Sequence, residues 1–178
     1  LVCPVMEHCT ARYEGKEESL PIKTKAKPPR PEYRLTAIVE GTGVHEGKIL
    51  IRKRPSTGLL AGMWELPHVI VPASANPAVM PEEPAMSHLQ GALLEEGIPV
   101  LPIGHVMDAE HTFSHIHWNM GVYRCTWQDA PISSLQAAES AAAYETGIEQ
   151  LRWIHVHDME RYAFPNVFIR ILHSYFSS

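Results

Sequence analysis

Proline and glycine interrupt this chain at short intervals, which leaves apolar segments that mostly have the length of β-strands rather than of long helices. The 178 residues include 15 prolines and 11 glycines. Six segments have strand-like apolar runs or alternation: 33–40, 48–54, 64–72, 100–108, 115–127 and 151–156. The first two flank a Gly-rich turn and predict a β-hairpin, and Pro67 predicts an edge strand or a bulge in the third.

Two further segments have the periodicity of amphipathic helices. Residues 85–96 place three apolar side chains on one stripe and stop at Gly97. Residues 164–176 repeat apolar side chains at helical spacing, with Pro165 in the first turn. Residues 128–147 are rich in Ala and Ser and predict an inserted loop or weak helix. Strands with one central and one terminal helix indicate an α+β class.

Charge and cysteine content narrow the classes of function. The net charge is −5 and the pI is about 6.1, which argues against a nucleic-acid footprint over the whole surface. Basic residues nevertheless cluster at 23–34 and 52–54, so a weak or partner-assisted contact with DNA stays open. No apolar run reaches the about 18 residues of a membrane-spanning helix. Three cysteines make no disulfide framework, which predicts a reducing, intracellular compartment.

A connector precedes the first predicted strand. Residues 20–31 read LPIKTKAKPPRP, and prolines at that density favour an extended chain over a helix. We place the connector at residues 10–32 and interpret it as a semi-rigid spacer in preference to a direct DNA contact.

Two cysteines near the start are the first candidate metal ligands. Cys3 and Cys9 are separated by five residues, and two thiolates supply half of a four-cysteine zinc or [4Fe–4S] site. Two pairs of histidines also share a strand face, but no carboxylate or cysteine spacing completes a site with them. These pairs are His115 with His117 and His155 with His157.

The segment 51–67, IRKRPSTGLLAGMWELP, contains the first candidate contacts to DNA. Gly58 and Gly62 permit tight backbone turns. Thr57, beside a glycine, is a candidate for positioning a phosphate. Arg52 is a second candidate contact, and its alternative interpretation is a solvated charge on a strand face.

Residues 111–115, HTFSH, carry the candidate that matters most. The chain resembles the MutY-type adenine DNA glycosylases in three segments and in their order along the sequence: the cysteine pair, the 51–67 segment and Phe113-Ser114-His115. In that family a similar Phe-Ser-His loop reaches the damaged guanine opposite the target adenine. The 51–67 segment is similar to the one that opens the family's C-terminal domain, and the cysteine pair resembles the end of its iron–sulfur loop.

A hydroxyl group suits the recognition that this resemblance implies. The N7 atom of guanine is an acceptor, whereas in 8-oxoguanine N7 carries a hydrogen and C8 carries a carbonyl. The Ser114 hydroxyl can accept from N7–H, and a hydroxyl or a backbone N–H can donate to O8. We therefore assign discrimination to Ser114, support by packing to Phe113, and loop orientation or phosphate contact to His115. The alternative interpretation is a strand-entry serine between surface side chains.

The order of strands and helices also resembles the Nudix fold of MutT-type pyrophosphohydrolases, which hold a divalent metal with glutamates on a helix. When their motif is aligned on Gly97, Gly91 and Leu94 stand where glutamates are required, and only Glu82 and Glu95 match. A hard cation needs several oxygen ligands. We expect the fold without this metal chemistry, and a stand-alone nucleotide pyrophosphohydrolase is the alternative function.

The resemblance implies three regions. Residues 1–9 end the cluster loop of a catalytic domain, residues 10–32 form the connector, and residues 33–178 form a Nudix-like 8-oxoguanine-recognition domain with a mixed sheet and two helices. Because the chain begins with Leu1 rather than Met, we expect a fragment with no catalytic residues of its own. Its parent would remove adenine mispaired with 8-oxoguanine and carry a [4Fe–4S] cluster. Cys3 and Cys9 are two of the four ligands, so no cluster is expected in this chain.

The same resemblance implies the partners and the location. The expected ligand is double-stranded DNA that contains 8-oxoguanine opposite adenine, and a repair protein is expected at the connector. We expect a monomer with no membrane association, located in the cytoplasm of a bacterial cell.

Overall fold

Strand β1 (Arg30–Glu40) is the centre of the sheet, and its residues from Arg34 to Val39 are all buried. The computed structural model describes residues 3–20, 27–73, 76–77, 79–128 and 151–177. Along its whole length β1 pairs in parallel with β6 (Ile116–Trp127), and it pairs antiparallel with β4 (His68–Val71). The strand starts at Arg30, three residues before the strand start that the sequence predicts.

The second strand along the chain pairs mainly with strands other than β1. Strand β2 (Lys48–Lys53) pairs with β1 only at Glu40 and Ile49, and then with β3 (Trp64–Glu65) and β7 (Leu151–His155). The predicted hairpin of the first two strands is therefore confirmed only at its turn, where the Gly41 N–H donates to the Lys48 carbonyl at 2.9 Å. Beyond that turn the two strands choose different partners.

The single strand predicted over 64–72 is two short strands. Its first part pairs with β2 and its second part with β1, and Pro67 lies between them. Proline has no N–H for a ladder, but its carbonyl still accepts the Ala37 N–H at 2.8 Å. The proline thus marks the point where the chain changes partner.

Strand β5 (Val100–Thr112) extends four residues beyond its predicted end and pairs antiparallel with β6. Register shifts occur between Pro102 and Gly104 and between His105 and Met107. In the described part of the chain the order is β3-β2-β1-β6-β5, with β4 also on β1 and β7 also on β2. Strand β5 is therefore an outer strand, and a short turn joins it to β6.

Helices cover the two faces of this mixed sheet. Helix α2 (Glu82–Glu95) packs on one face through Ala85, Leu89 and Leu93. Helix α3 (Asn166–Phe176) packs on the other face through its own apolar stripe, which confirms the predicted terminal helix. Both begin directly after a proline, and a fixed φ suits that place. The α+β class and the mixed sheet with two packed helices are confirmed.

Smaller elements lie outside this core. Residues Met6–His8 form a 3-10 helix, and a one-turn helix α1 (Thr10–Tyr13) lies at the start of the connector, before the proline-rich residues 20–31 that predict an extended chain. A 3-10 helix, Val156–Arg161, follows β7. The insertion predicted at 128–147 lies almost wholly outside the described residues. In the described part, no helix is long and apolar enough to cross a bilayer.

Candidate functional site

The residues Phe113-Ser114-His115 form the whole connection between β5 and β6, and we call them the hairpin tip. The Phe113 N–H donates to the Ile116 carbonyl at 2.7 Å and closes the turn. The His115 carbonyl accepts the N–H of Arg30 at 3.0 Å, which ties the tip to the start of β1. Ser114 and His115 are exposed, whereas Phe113 is half-buried.

Contacts between aromatic rings connect the hairpin tip to the core. The Phe113 ring lies 4.8 Å from the ring of Trp118 in an edge-to-face arrangement, and the His111 ring lies 4.5 Å from Phe113 on another side. Trp118 is fully buried. Edge-to-face pairs at this separation contribute about 0.5–1.5 kcal/mol beyond their buried area. The Phe113 ring thus packs against a side chain that is itself held in the core.

The two exposed side chains of the tip contact each other. The Ser114 hydroxyl lies 3.0 Å from Nδ1 of His115. Since the hydroxyl can rotate and the imidazole has two tautomers, the direction of this bond depends on which ring nitrogen carries the proton. With the proton on Nε2, Ser114 donates and its oxygen lone pairs stay available.

Polar groups of both signs surround the base of the tip. The Thr112 hydroxyl lies 2.7 Å from Nδ1 of His117, whose other ring nitrogen lies 3.6 Å from a carboxylate oxygen of Glu110. Arg170 of α3 donates to the Glu110 carbonyl at 2.7 Å. Burial lowers the pKa of His111, and the charges of Arg170 and His117 lower it further. The surroundings of the tip are therefore of mixed charge.

Thr57 lies in a second loop, residues 54–63, which follows β2. The loop contains three residues with positive φ, namely Gly58, Leu60 and Gly62 at 91°, 57° and 70°. The expected tight turns at the two glycines are present. A leucine in this region is unusual, and Leu60 packs against the core, which offsets the strain. Thr57 itself is exposed.

Arg52 lies in a polar cleft of about 620 Å³ between the sheet and the end of α2. Its Nε donates to Glu65 at 3.0 Å, a second guanidinium nitrogen contacts Glu96, and the third donates to the His68 carbonyl at 3.2 Å. Strand β1 lies between β2, which carries Arg52, and β6, which carries the tip. The structure therefore gathers Phe113, Ser114 and His115 but keeps Arg52 on a separate strand.

Glu65 is the centre of the cleft. Its carboxylate is nearly inaccessible and contacts both Arg52 and Arg54. Burial disfavours its charged form, but the positive charges of Arg52 and Arg54 and the hydrogen bond from Arg54 outweigh burial and lower its pKa. His68 donates from Nδ1 to the Leu66 carbonyl at 3.0 Å, and burial lowers its pKa to about 3. His68 is thus a neutral side chain inside a charged network.

The glutamate positions of the metal-binding motif do not fit a divalent cation here. Gly91 offers no side chain, and Leu94 is 60% exposed. An Oε atom of Glu82 accepts the backbone N–H of His105 at 2.7 Å. In the described residues, no group of three or more His, Cys, Asp or Glu side chains is arranged to hold a metal ion.

The two candidate thiolates lie apart from the sheet. Cys3 is exposed and Cys9 is half-buried, and both are free thiols beside the 3-10 helix Met6–His8. Two ligands do not complete a four-thiolate cluster. A cluster therefore stays a prediction for a longer protein.

Several residues of the cleft and of the tip's support were not predicted. Arg34, His68 and Trp118 belong to no motif, and Glu65 lies in the 51–67 segment without a predicted role; each reaches its partners through the tertiary fold. One signal was available: Arg34 and Thr36 interrupt an otherwise apolar strand, and a buried charge in such a position requires a partner.

Comparisons with known proteins agree with this architecture. A family model described as "NUDIX domain" matches residues 42–174. Among solved structures, the C-terminal domain of mouse MUTYH in its complex with human PCNA has a TM-score of 0.56 and 24% identity, covering 83% of this chain and 89% of that one. A NUDIX hydrolase from Nitrosomonas europaea has a TM-score of 0.57 and 14% identity, covering 83% and 90%. Both likenesses concern the fold alone.

Sequence relatives are adenine DNA glycosylases. The mouse protein is 35% identical over 123 residues, and the rat protein is 38% identical over 112 residues. These matches cover 65% and 59% of this chain but only 22% and 20% of the relatives. The chain thus spans about a fifth of their length. Its resemblance to this group is confirmed, and by the match over most of its residues the chain belongs to the NUDIX domain family.

Proposed function

We propose that this chain is the part of an adenine DNA glycosylase that recognises 8-oxoguanine opposite adenine and grips the DNA. The observation that carries the proposal is the hairpin tip, which presents an exposed serine hydroxyl on a supported turn. The sequence relatives are named adenine DNA glycosylase, which supports a role of this chain in DNA repair. Recognition by a short exposed turn needs only a small basic area on the surface. A net charge of −5 is compatible with such recognition.

The polarity of the Ser114 hydroxyl supports discrimination of the lesion. If Ser114 donates its proton to Nδ1 of His115 at 3.0 Å, its oxygen is left as an acceptor. The N7–H of 8-oxoguanine then has a partner, whereas N7 of guanine would meet the serine oxygen acceptor to acceptor. His115 acts in this proposal as the group that orients the hydroxyl. The neighbouring Phe113 keeps the turn in place.

Direct binding tests this proposal. Fluorescence anisotropy of the chain with two labelled duplexes, identical except for 8-oxoguanine·adenine or guanine·adenine at one position, gives the ratio of the two dissociation constants. We expect the lesion duplex to bind at least about fivefold more tightly, at a fixed salt concentration because phosphate contacts depend strongly on salt. Equal affinities for the two duplexes would exclude lesion recognition by this chain.

The catalytic step is proposed for the longer protein alone. An enzyme that cleaves the glycosidic bond of adenine must first turn the base out of the duplex. The acid and base for that step, and a [4Fe–4S] cluster that includes Cys3 and Cys9, would belong to a preceding domain. Such a protein acts on genomic DNA and therefore inside the cell. This chain alone is expected to release no adenine from a mispaired duplex, which a strand-cleavage assay with alkali can measure.

A repair-protein partner is the second part of the proposal. The solved complex pairs the C-terminal domain of mouse MUTYH with human PCNA. We place a contact of this kind on the connector, residues 10–32, whose described parts are exposed except for Ala11, Pro29 and Glu32. Pull-down of purified PCNA by the chain, with and without residues 10–29, measures it. Capture that is unchanged by the deletion would place the contact elsewhere.

The alternative function is a nucleotide pyrophosphohydrolase. The family match makes this class relevant, but Gly91 and Leu94 supply no metal ligands. Incubation with 8-oxo-dGTP and Mg²⁺, with inorganic pyrophosphate release as the readout, should give no turnover above a protein-free control. Turnover above this control would favour the pyrophosphohydrolase function instead.

A further inference from the structure

We infer that Arg34 and Trp118 are positioning residues that fix the hairpin tip in its lesion-reading conformation. The inference rests on the proposed role of the tip in lesion recognition. It concerns two buried side chains: Trp118 is fully buried, and the side chain of Arg34 is 7% exposed.

The Trp118 ring is held by packing contacts. It is fully buried, and its Nε1 has no hydrogen-bond acceptor in the described part of the chain. The guanidinium carbon of Arg34 lies 4.0 Å from the centroid of this ring. His68 and Phe168 contact the ring at centroid distances of 5.8 and 6.3 Å. Since a buried indole without a hydrogen bond can slide or tilt, its position depends on these neighbours.

Arg34 is the neighbour with the closest and most directional contact. A desolvated guanidinium over an indole face is the strongest form of cation–π contact. Its side chain is only 7% exposed, and its Nη2 forms an ion pair with Glu32 at 2.7 Å. The Arg34 Nε has no partner in the described residues. The ring of Trp118 and the carboxylate of Glu32 therefore fix the place of this guanidinium.

The tip is held at both of its ends by the start of β1. At the first end, Phe113 contacts Trp118 at 4.8 Å, and Trp118 in turn contacts Arg34. At the second end, the backbone N–H of Arg30 donates to the His115 carbonyl at 3.0 Å. Glu32 joins the two ends, because one of its oxygens pairs with Arg30 at 2.9 Å and the other with Arg34.

This arrangement leaves Ser114 as the free middle residue of a turn whose two flanks are fixed. A displacement of about 1 Å at such a residue is enough to break a hydrogen bond to a base edge. Loss of the Arg34–Trp118 contact should therefore reduce lesion preference without changing any group that touches DNA.

The chain offers a matched control. Arg124 of β6 pairs with Glu40 of β1 at 2.8 Å, so this ion pair joins the same two strands as the Arg34–Trp118 contact. It lies at the far end of the strand pair, where Glu40 is opposite Thr126, while the tip adjoins Ile116 and Arg30. Arg34→Met and Arg124→Met each remove one guanidinium from this pair of strands, near the tip and far from it.

The experiment has one readout that involves no DNA. Amide hydrogen exchange of Phe113 and Arg30, measured by NMR, reports the two bonds that close the tip. The Ala37 amide, bonded to the Pro67 carbonyl, reports opening of the core. In Arg34→Met we expect the Phe113 and Arg30 amides to exchange at least about tenfold faster relative to Ala37. In Arg124→Met we expect this ratio to stay within about twofold of the wild type.

The second readout is the ratio of affinities for the 8-oxoguanine·adenine and guanine·adenine duplexes. We expect Arg34→Met to lower it about three- to tenfold, Arg34→Lys to restore part of it by keeping a cation over the ring, and Arg124→Met to leave it unchanged. A wild-type chain without lesion preference would refute the proposed function, while the exchange data would still decide the positioning role.

Equal tip exchange in the wild type and Arg34→Met, or equal changes in Arg34→Met and Arg124→Met, would overturn the inference. Should Arg34→Met fail to fold, Glu32→Gln replaces it, because this change removes the ion pair that holds Arg34 and leaves the core packing intact. It should accelerate exchange of the same two amides, and unaltered exchange would count against the inference in the same way.

Discussion

The cleft and the hairpin tip are both polar, but their polar groups face different partners. In the cleft, Arg52, Arg54 and Glu65 satisfy one another and leave few donors or acceptors free. At the tip, Ser114 and His115 contact each other and are otherwise exposed. A polar group that is satisfied internally contributes to stability, whereas one that faces solvent is available for a ligand. We therefore expect changes in the cleft to alter folding and changes at the tip to alter binding.

The largest expected effect comes from Glu65→Gln. The change removes the carboxylate that Arg52 and Arg54 share and leaves Arg52 only its more exposed partner Glu96. Loss of one partner from a buried ion pair costs about 3–5 kcal/mol. Urea denaturation followed by tryptophan fluorescence measures the loss in the free energy of unfolding.

Glu14→Gln is the matched control, because Glu14 forms an ion pair with Lys16 in which both side chains are about half exposed. Exposed pairs contribute at most about 1 kcal/mol. Similar losses for the two variants would mean that the cleft is no more than a solvated surface, and the contrast between the two regions would fail.

The next effect is a pH dependence that His68 gives to the cleft. Burial lowers its pKa from 6.5 to about 3, so between these values the unfolded chain binds a proton and the folded chain does not. Stability must then fall as the pH falls, by about 1.4 kcal/mol per unit, or about 2 kcal/mol from pH 6.5 to 5.0. In His68→Gln this slope should decrease by about one proton. A slope that is the same in both proteins would show that His68 is protonated in the folded state.

Ser114→Ala should have a smaller effect, and it should alter DNA binding rather than folding. It should remove about 1–2 kcal/mol of preference for 8-oxoguanine over guanine, the value of one hydrogen bond, and change the free energy of unfolding by less than about 0.5 kcal/mol. Anisotropy with the two duplexes and urea denaturation measure both quantities. An unchanged preference would remove Ser114 from the proposed function.

Thr57→Val should have the smallest effect. A phosphate contact carries no sequence information, so the variant should bind the lesion and undamaged duplexes about twofold more weakly and leave their ratio constant. The same anisotropy titrations test this. A changed ratio of the two affinities would mean that the 54–63 loop contacts the base itself and shares lesion recognition with the tip.

The sequence predicted the presence of the helices and strands better than it predicted where each one begins and ends or which strands pair with each other. Helix α2 starts at Glu82 rather than at residue 85, because Pro84 lies in the first turn, where a missing N–H costs nothing. Strand β5 continues through residues 109–112, which are polar except for Ala109, since their backbone groups pair with β6 whatever their side chains are. Polarity alone gave no reason to extend the strand.

Sites were predictable where a local motif carries them. The tip is three consecutive residues, so its loop position follows from the chain itself. The cleft combines residues from β1, β2, β3, β4 and α2, and its members meet only because β2 leaves β1 after one residue pair. Such choices of strand partner depend on the whole fold, and no spacing in the sequence encodes them.

Glu82, the matching glutamate at the start of α2, also affects how this protein meets its own copies. Strand β5 is an outer strand of the described sheet, and the unpaired backbone groups of an outer strand invite intermolecular β-pairing and aggregation. The Glu82 carboxylate accepts the His105 N–H beside a register shift, so it removes one free donor at a place where the strand is already irregular. We therefore expect a residue that a hydrolase would use to hold a cation to make intermolecular β-pairing at this edge less favourable.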